Sequence, residues 1–210
     1  MNFFGHAVVA SWAPGATPSF VLGAMLPDFA TITGARSLEP AHPETRRGVI
    51  LHHATDEVFH AAPDFLALTG LARARLQQDG LRRGSAWAAA HVGIELLIDG
   101  TLVGDERAGD LYLRALRNAE ARILCAGDGD ASRVGQFLDR ARAAGIPHQY
   151  TEPQAVALRI ARALRSRPRL SLDGGQENVL ADVLASVAAE VRGRAGNLLA
   201  RVRDGVGPRR

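Results

Sequence analysis

The chain has 210 residues with a formal charge of +3; 47% of them are hydrophobic and only 5% aromatic. That length fits one domain and that composition builds an aliphatic core, which excludes a disordered chain, while the mild charge gives no sign of a nucleic-acid surface. All 25 basic residues are arginine, and the single cysteine, Cys125, excludes both a disulfide framework and a thiolate-rich zinc site, so any metal must be held by imidazole and carboxylate.

No charged residue precedes Asp28, and the apolar N-terminal stretch is broken by Pro14, Gly15 and Pro18. With no basic residues at its start, it reads as two short buried segments of a cytoplasmic protein, neither a signal peptide nor a membrane span. Residues 2–12 predict a first helix carrying His6. Thr17 caps a second, with Pro18 at its first position, extending to about Leu26. Gly34, Pro40 and Pro43 put 34–45 in a loop. A helix over 44–61 follows, and a restart at APDF continues to Gln78. Ser85 then caps a segment over 85–104 that is apolar nearly all round and therefore central. Further helices are expected at 106–126, 131–144, 152–166 and 176–204, with Cys125 a buried small hydrophobe. No segment alternates with a strict period of two. The expectation is an all-α, compact single-domain helical bundle over 1–210, ending in a short disordered Arg-rich tail.

The chemistry is concentrated in HHATDEVFH, residues 52–60, where His52, Asp56 and His60 fall at i, i+4 and i+8 on one helix face. His91, Glu95 and Asp99 repeat that spacing in the apolar run HVGIELLID. A carboxylate in such surroundings must be paired or metal-bound, since burying it bare costs roughly several kcal/mol. Each residue alone is by default a paired core group. Together they point to a metal site, because His6, His42, His52, His53, His60 and His91 all lie in the first half with Asp28, Asp56 and Glu95. Imidazole with carboxylate suits Mn, Zn or Fe, and the number of donors favours a binuclear centre that clamps a phosphate and activates water. Asp56, between His52 and His60, is the candidate bridging carboxylate. His53, His60 and Glu95 are the candidates for protonating a leaving group, although His53 lies one position round from the ligand face. His148, in a loop, reads as unrelated.

The segments MNFFGH, VLGAMLPDF, GVILHHATDEVFH and ALRSRPRL, in this order over most of the chain, resemble the acyl carrier protein phosphodiesterase family. The resemblance implies a helical fold like that of HD-type metal phosphohydrolases. It also implies Mn-dependent hydrolysis of the diester joining 4′-phosphopantetheine to a carrier-protein serine, with His6, Asp28, His52 and Asp56 at the metal site. The chain departs from the family at His60, His91 and Glu95-Leu96, where the family has Asp, an acidic residue and Asp-His. An acidic helical carrier protein would meet a basic rim, for which Arg73, Arg75, Arg82, Arg83, Arg165 and Arg167 are candidates, a solvated arginine face being the default. LGAMLPDF, His42 and LHHATDEVFH also resemble the zinc-dependent phospholipase C and nuclease group, whose His-x3-Asp and His-x3-Glu pairs match His52–Asp56 and His91–Glu95. Those enzymes are mostly exported, which the uncharged N-terminus does not support. Two readings of other classes remain: an HD-like di-iron oxygenase, and a non-catalytic carrier-protein or lipid binder.

Overall fold

Residues 1–36, 38–117, 119 and 122–207 are described in a computed structural model. Among them helix follows helix: α1 (Phe3–Ser11), α2 (Pro18–Thr33), α3 (Pro43–Ala61), α4 (Pro63–Gln78), α5 (Arg83–Gly100), α6 (Glu106–Arg117), α7 (Asp128–Ala144), α8 (Pro153–Leu164) and α9 (Gln176–Val206). The fold is all-α. Proline opens α2, α3, α4 and α8, where its missing N–H has no helical acceptor to lose. At α2 the Thr17 hydroxyl accepts from the Phe20 N–H at 3.2 Å, as its cap position predicts. The expected Arg-rich tail ends in residues 208–210, which lie outside the described ones.

Five expectations are corrected. Helix α2 runs past Pro27 to Thr33, because proline removes one bond of the ladder and the fully buried Phe29 anchors the next turn. The loop at 34–45 and the helix at 106–126 each yield three residues to an antiparallel pair, β1 (Leu38–Pro40) with β2 (Ile123–Cys125), in which Leu38 faces Cys125. Three residues are too few to show a period of two. Cys125 is consequently half-buried on β2, not sealed in a core. Ser85 lies inside α5, and its buried hydroxyl donates to the Ser171 carbonyl at 3.3 Å.

The helices form two compact units, Met1–Glu57 with Leu102–Pro147 and Gly205–Arg210, and Val58–Thr101 with His148–Asp204. In the first, α1 is buried at every residue, and Phe3 and Phe29 pack with Phe137 at ring separations of 6.0 and 4.9 Å. Helices α2 and α3 cross there with their backbones touching. A Cβ at Gly23 would lie 1.9 Å from the Thr45 carbonyl oxygen, and one at Gly48 would lie 2.1 Å from that of Phe20. In the second, α5 packs on α4, α8 and the 3-10 turn at His148–Thr151. A Cβ at Gly100 would lie 2.4 Å from the Tyr150 carbonyl oxygen. Among the described residues no helix is long and apolar enough to cross a membrane.

The crossing makes two glycines sterically obligatory, whereas Gly193 in α9 has nothing within 4 Å of its missing Cβ. Gly23→Ala and Gly48→Ala should each lower the unfolding free energy by about 1–3 kcal/mol or more through forced backbone displacement. Gly193→Ala should raise it by about 0.4–1 kcal/mol by removing freedom from the unfolded chain. Urea titration of the three variants checks both signs.

Candidate metal centre

The predicted ligands gather into two groups of three, His6, His52 and Asp56, and His60, His91 and Glu95, each with its ligand atoms within 4.8 Å of one another. In both, a helix supplies an i, i+4 pair of histidine and carboxylate, and a histidine from another helix completes the set. Helix α3 supplies residues to each.

In the first group the chain reaches the site through the α2–α3 crossing. Ala24 follows Gly23, His52 lies one turn beyond Gly48, and the His52 Nδ1–H donates to the Ala24 carbonyl at 2.8 Å. That bond directs Nε2 at Asp56, whose Oδ2 is 3.3 Å away. From α1, His6 Nε2 comes within 3.1 Å of Asp56 Oδ1, and the two imidazoles stack at 3.9 Å. The Met1 α-ammonium donates to the same Oδ1 at 3.2 Å. His6 is fully buried, yet among the described residues neither of its ring nitrogens makes a hydrogen bond of proper direction. The oxygen is near Nε2 but off its axis. Two imidazole nitrogens turned toward one carboxylate, one of them short of a hydrogen-bond partner, fit a divalent ion of the Mn, Fe or Zn kind. The bond from His52 to a backbone carbonyl is the outer support such ligands commonly have.

Charge follows from this geometry. Burial lowers the His6 pKa to about 4, against the pull of Asp56, so the ring is neutral at pH 7. Burial acts the same way on His52, but the Asp56 contact, the Asp28 charge and the Ala24 carbonyl outweigh it and its pKa is raised. Burial works against the charged form of Asp56, yet His52, His6 and the ammonium hold it well below the usual carboxylate range. Below its raised pKa, His52 therefore carries a proton on the nitrogen that faces Asp56, where a metal would contest it.

In the second group Glu95 Oε1 alone meets both histidines, His60 Nε2 at 2.9 Å and His91 Nε2 at 3.2 Å. Burial of Glu95 favours its neutral form, but these contacts help hold its carboxyl below the usual range. His60 and His91 are each half-exposed, so this group opens to solvent more than the first.

Other predicted residues take different places. Asp28 acts on His52 through its charge without joining the three. His42 is exposed, and its Nδ1 accepts from the Glu44 N–H at 3.2 Å, so it caps α3 and belongs to neither group. His53 is exposed, edge-on to His52. Asp99 is buried outside the second group, whose third member is His60. Exposed His148 is in neither. Arg75 is half-buried and donates to Ser186 at 2.7 Å, and Arg82 donates to the Ser171 carbonyl, so both have internal partners, while Arg73, Arg83, Arg165 and Arg167 are exposed. The Ala24 carbonyl and the α-ammonium carry no signal of chemistry in the sequence.

The shifts set pH behaviour. The folded pKa of His6 lies below its unfolded value near 6.5, so its contribution is present above 6.5 and is lost as pH falls toward about 4. His52 is the reverse: its contribution is present below about 6.5 and is lost as pH rises through the raised value. The Asp56 contribution is present above its unfolded value of about 3.9 and is lost as pH falls below it. A metal bound here would displace the His52 proton, so Mn affinity should rise with pH, by up to about tenfold per unit, over the range below the raised His52 pKa and level off above it. Melting temperatures with and without Mn should show a growing shift over that range and none attributable to this group in Asp56→Ala; a pH-independent shift would show that no proton is displaced.

Comparisons of the chain with models of protein families, with curated proteins and with solved structures found no match, so the reading of the site rests on its own residues.

Proposed function

We propose that this protein is a metal-dependent phosphodiester hydrolase. The observation that supports it most is the first group, where two buried imidazoles from different helices converge on one carboxylate already stripped of its proton. A divalent ion held by such donors supplies Lewis acidity toward a phosphate oxygen and makes water a nucleophile at neutral pH. The chain's own contributions are specific. The Ala24 carbonyl fixes the His52 ring, burial keeps His6 neutral and able to ligate, and Asp56 offers both oxygens to the pair.

For the substrate, the resemblance to acyl carrier protein phosphodiesterases supports the diester between 4′-phosphopantetheine and a carrier-protein serine. The exposed Arg73, Arg83, Arg165 and Arg167 offer such an acidic protein a positive surface. A lipid or nucleotide diester, as in the phospholipase C and nuclease group, is the second candidate. Two histidines with one carboxylate is also the donor set of oxygen-activating Fe(II) sites, which supports an oxygenase as the competing reaction.

Incubation with holo-carrier protein and Mn, followed by mass spectrometry, should show loss of the phosphopantetheine mass in wild type and at least a hundredfold slower loss in Asp56→Ala. An intact holo-protein beside a cleaved lipid or nucleotide diester replaces the substrate. Metal bound with no diester cleaved, and oxygen consumed with Fe(II), replaces the reaction. Cleavage of the carrier protein should also slow severalfold as salt is raised, through loss of electrostatic steering.

A further inference from the structure

Beside the second group lies a cavity of about 340 Å³, at the lower end of the roughly 300–1,000 Å³ usual for ligand sites. Two helical stripes wall it. Leu66, Gly70 and Arg73 recur at i, i+4 and i+7 on α4, and Trp87 and His91 stand one turn apart on α5. Phe65 and His60 add to the wall, with Thr69 and Ala90 between the stripes' larger residues also lining it. Four of these residues are rings. Trp87 stacks on His91 at 5.3 Å with an interplanar angle of 18°, and His60 and His91 each lie 5.3 Å from Phe65. Trp87 and Leu66 remain 57% and 56% exposed on walls of the same cavity, an apolar surface that a bound apolar group would cover.

Polar groups share the cavity wall with the rings. His60 and His91 face the cavity while holding Glu95, and Arg73 supplies a guanidinium on the same wall. We propose that this cavity binds an organic phosphate whose ester arm is flat and apolar, with the phosphate between Arg73 and the His60–His91–Glu95 group and the arm stacked against Trp87. The arginine and the candidate metal ligands select an anionic head, and a wall of rings selects a planar arm over a flexible chain because π-faces stack. This assigns a ligand class to the second group alone and goes beyond the hydrolase reading, and the cavity's preference is measurable without turnover.

Calorimetry with non-hydrolysable probes in Mn-containing buffer tests the assignment. Naphthylmethylphosphonate should bind at least tenfold more tightly than methylphosphonate. Trp87→Ala, at an exposed position, should remove most of that advantage and leave methylphosphonate unchanged. Gly70→Leu should do the same by filling the cavity, since nothing lies within 4 Å of the Cβ that Gly70 lacks. Arg73→Gln should weaken both probes by a similar factor. Equal binding of the two probes to wild type, or an advantage that survives both Trp87→Ala and Gly70→Leu, overturns the proposal; octylphosphonate binding more tightly than the naphthyl probe overturns the flat arm. If the naphthyl preference holds and no diester is cleaved, the hydrolase reading fails and the pocket stands. If a diester is cleaved and the probes bind alike, the pocket fails alone.

Discussion

The first metal-ligand group depends on how closely two backbones approach. Gly23 and Gly48 let α2 and α3 touch main chain to main chain, and a Cβ on either would overlap a carbonyl oxygen of the other helix. That contact brings the Ala24 carbonyl to 2.8 Å from His52 Nδ1, a distance at which the bond fixes the ring. With Nδ1 committed, Nε2 has one direction left, toward Asp56. A shift of α3 by a fraction of an ångström would loosen that bond and with it the aim of the ligand. The catalytic reading therefore rests on two residues with no chemistry of their own.

The second group shows what the same donor types do under a different constraint. Glu95 is buried on α5, so its charge must be met locally, and Oε1 receives both histidines. Its histidines are half-exposed and line a cavity, while in the first group His6 and His52 are sealed. A sealed, tightly oriented set suits retention of an ion. An open set beside an apolar wall suits meeting a ligand.

The helices were legible because their signals are local. Thr17-Pro18 marks a start, Ala62-Pro63 a restart, and the i, i+4 repeat reports a shared face whatever surrounds it. That repeat yielded His52–Asp56 and His91–Glu95 but overreached at the third place, since a ligand one further turn along has moved about 6 Å up the axis. The third ligand came from another helix in each case, His6 from α1 and His60 from α3, and only tertiary structure decides that. His42 misled for the opposite reason: a histidine just before a helix can serve the helix end, which spacing alone does not separate from ligation. The β1–β2 pair escaped because three residues carry no period, and α2 outlasted Pro27 because burial of Phe29 outweighed one missing bond.

Electrostatics completes the argument for a site that exchanges protons for metal. A carboxylate like Asp56, which burial alone would neutralise, stays ionised only while positive charge or hydrogen bonds face it. Without metal that duty falls to His52, whose raised pKa is the cost shared between the pair, and to the α-ammonium on Oδ1. A divalent ion bound there would supply more positive charge, and His52 could then release its proton and ligate in its neutral form. His6 needs no such release, because its burial has already removed the proton. One imidazole is thus neutral and the other is held toward its charged form by the very carboxylate both face, so a metal at this site would have to compete with a proton on His52.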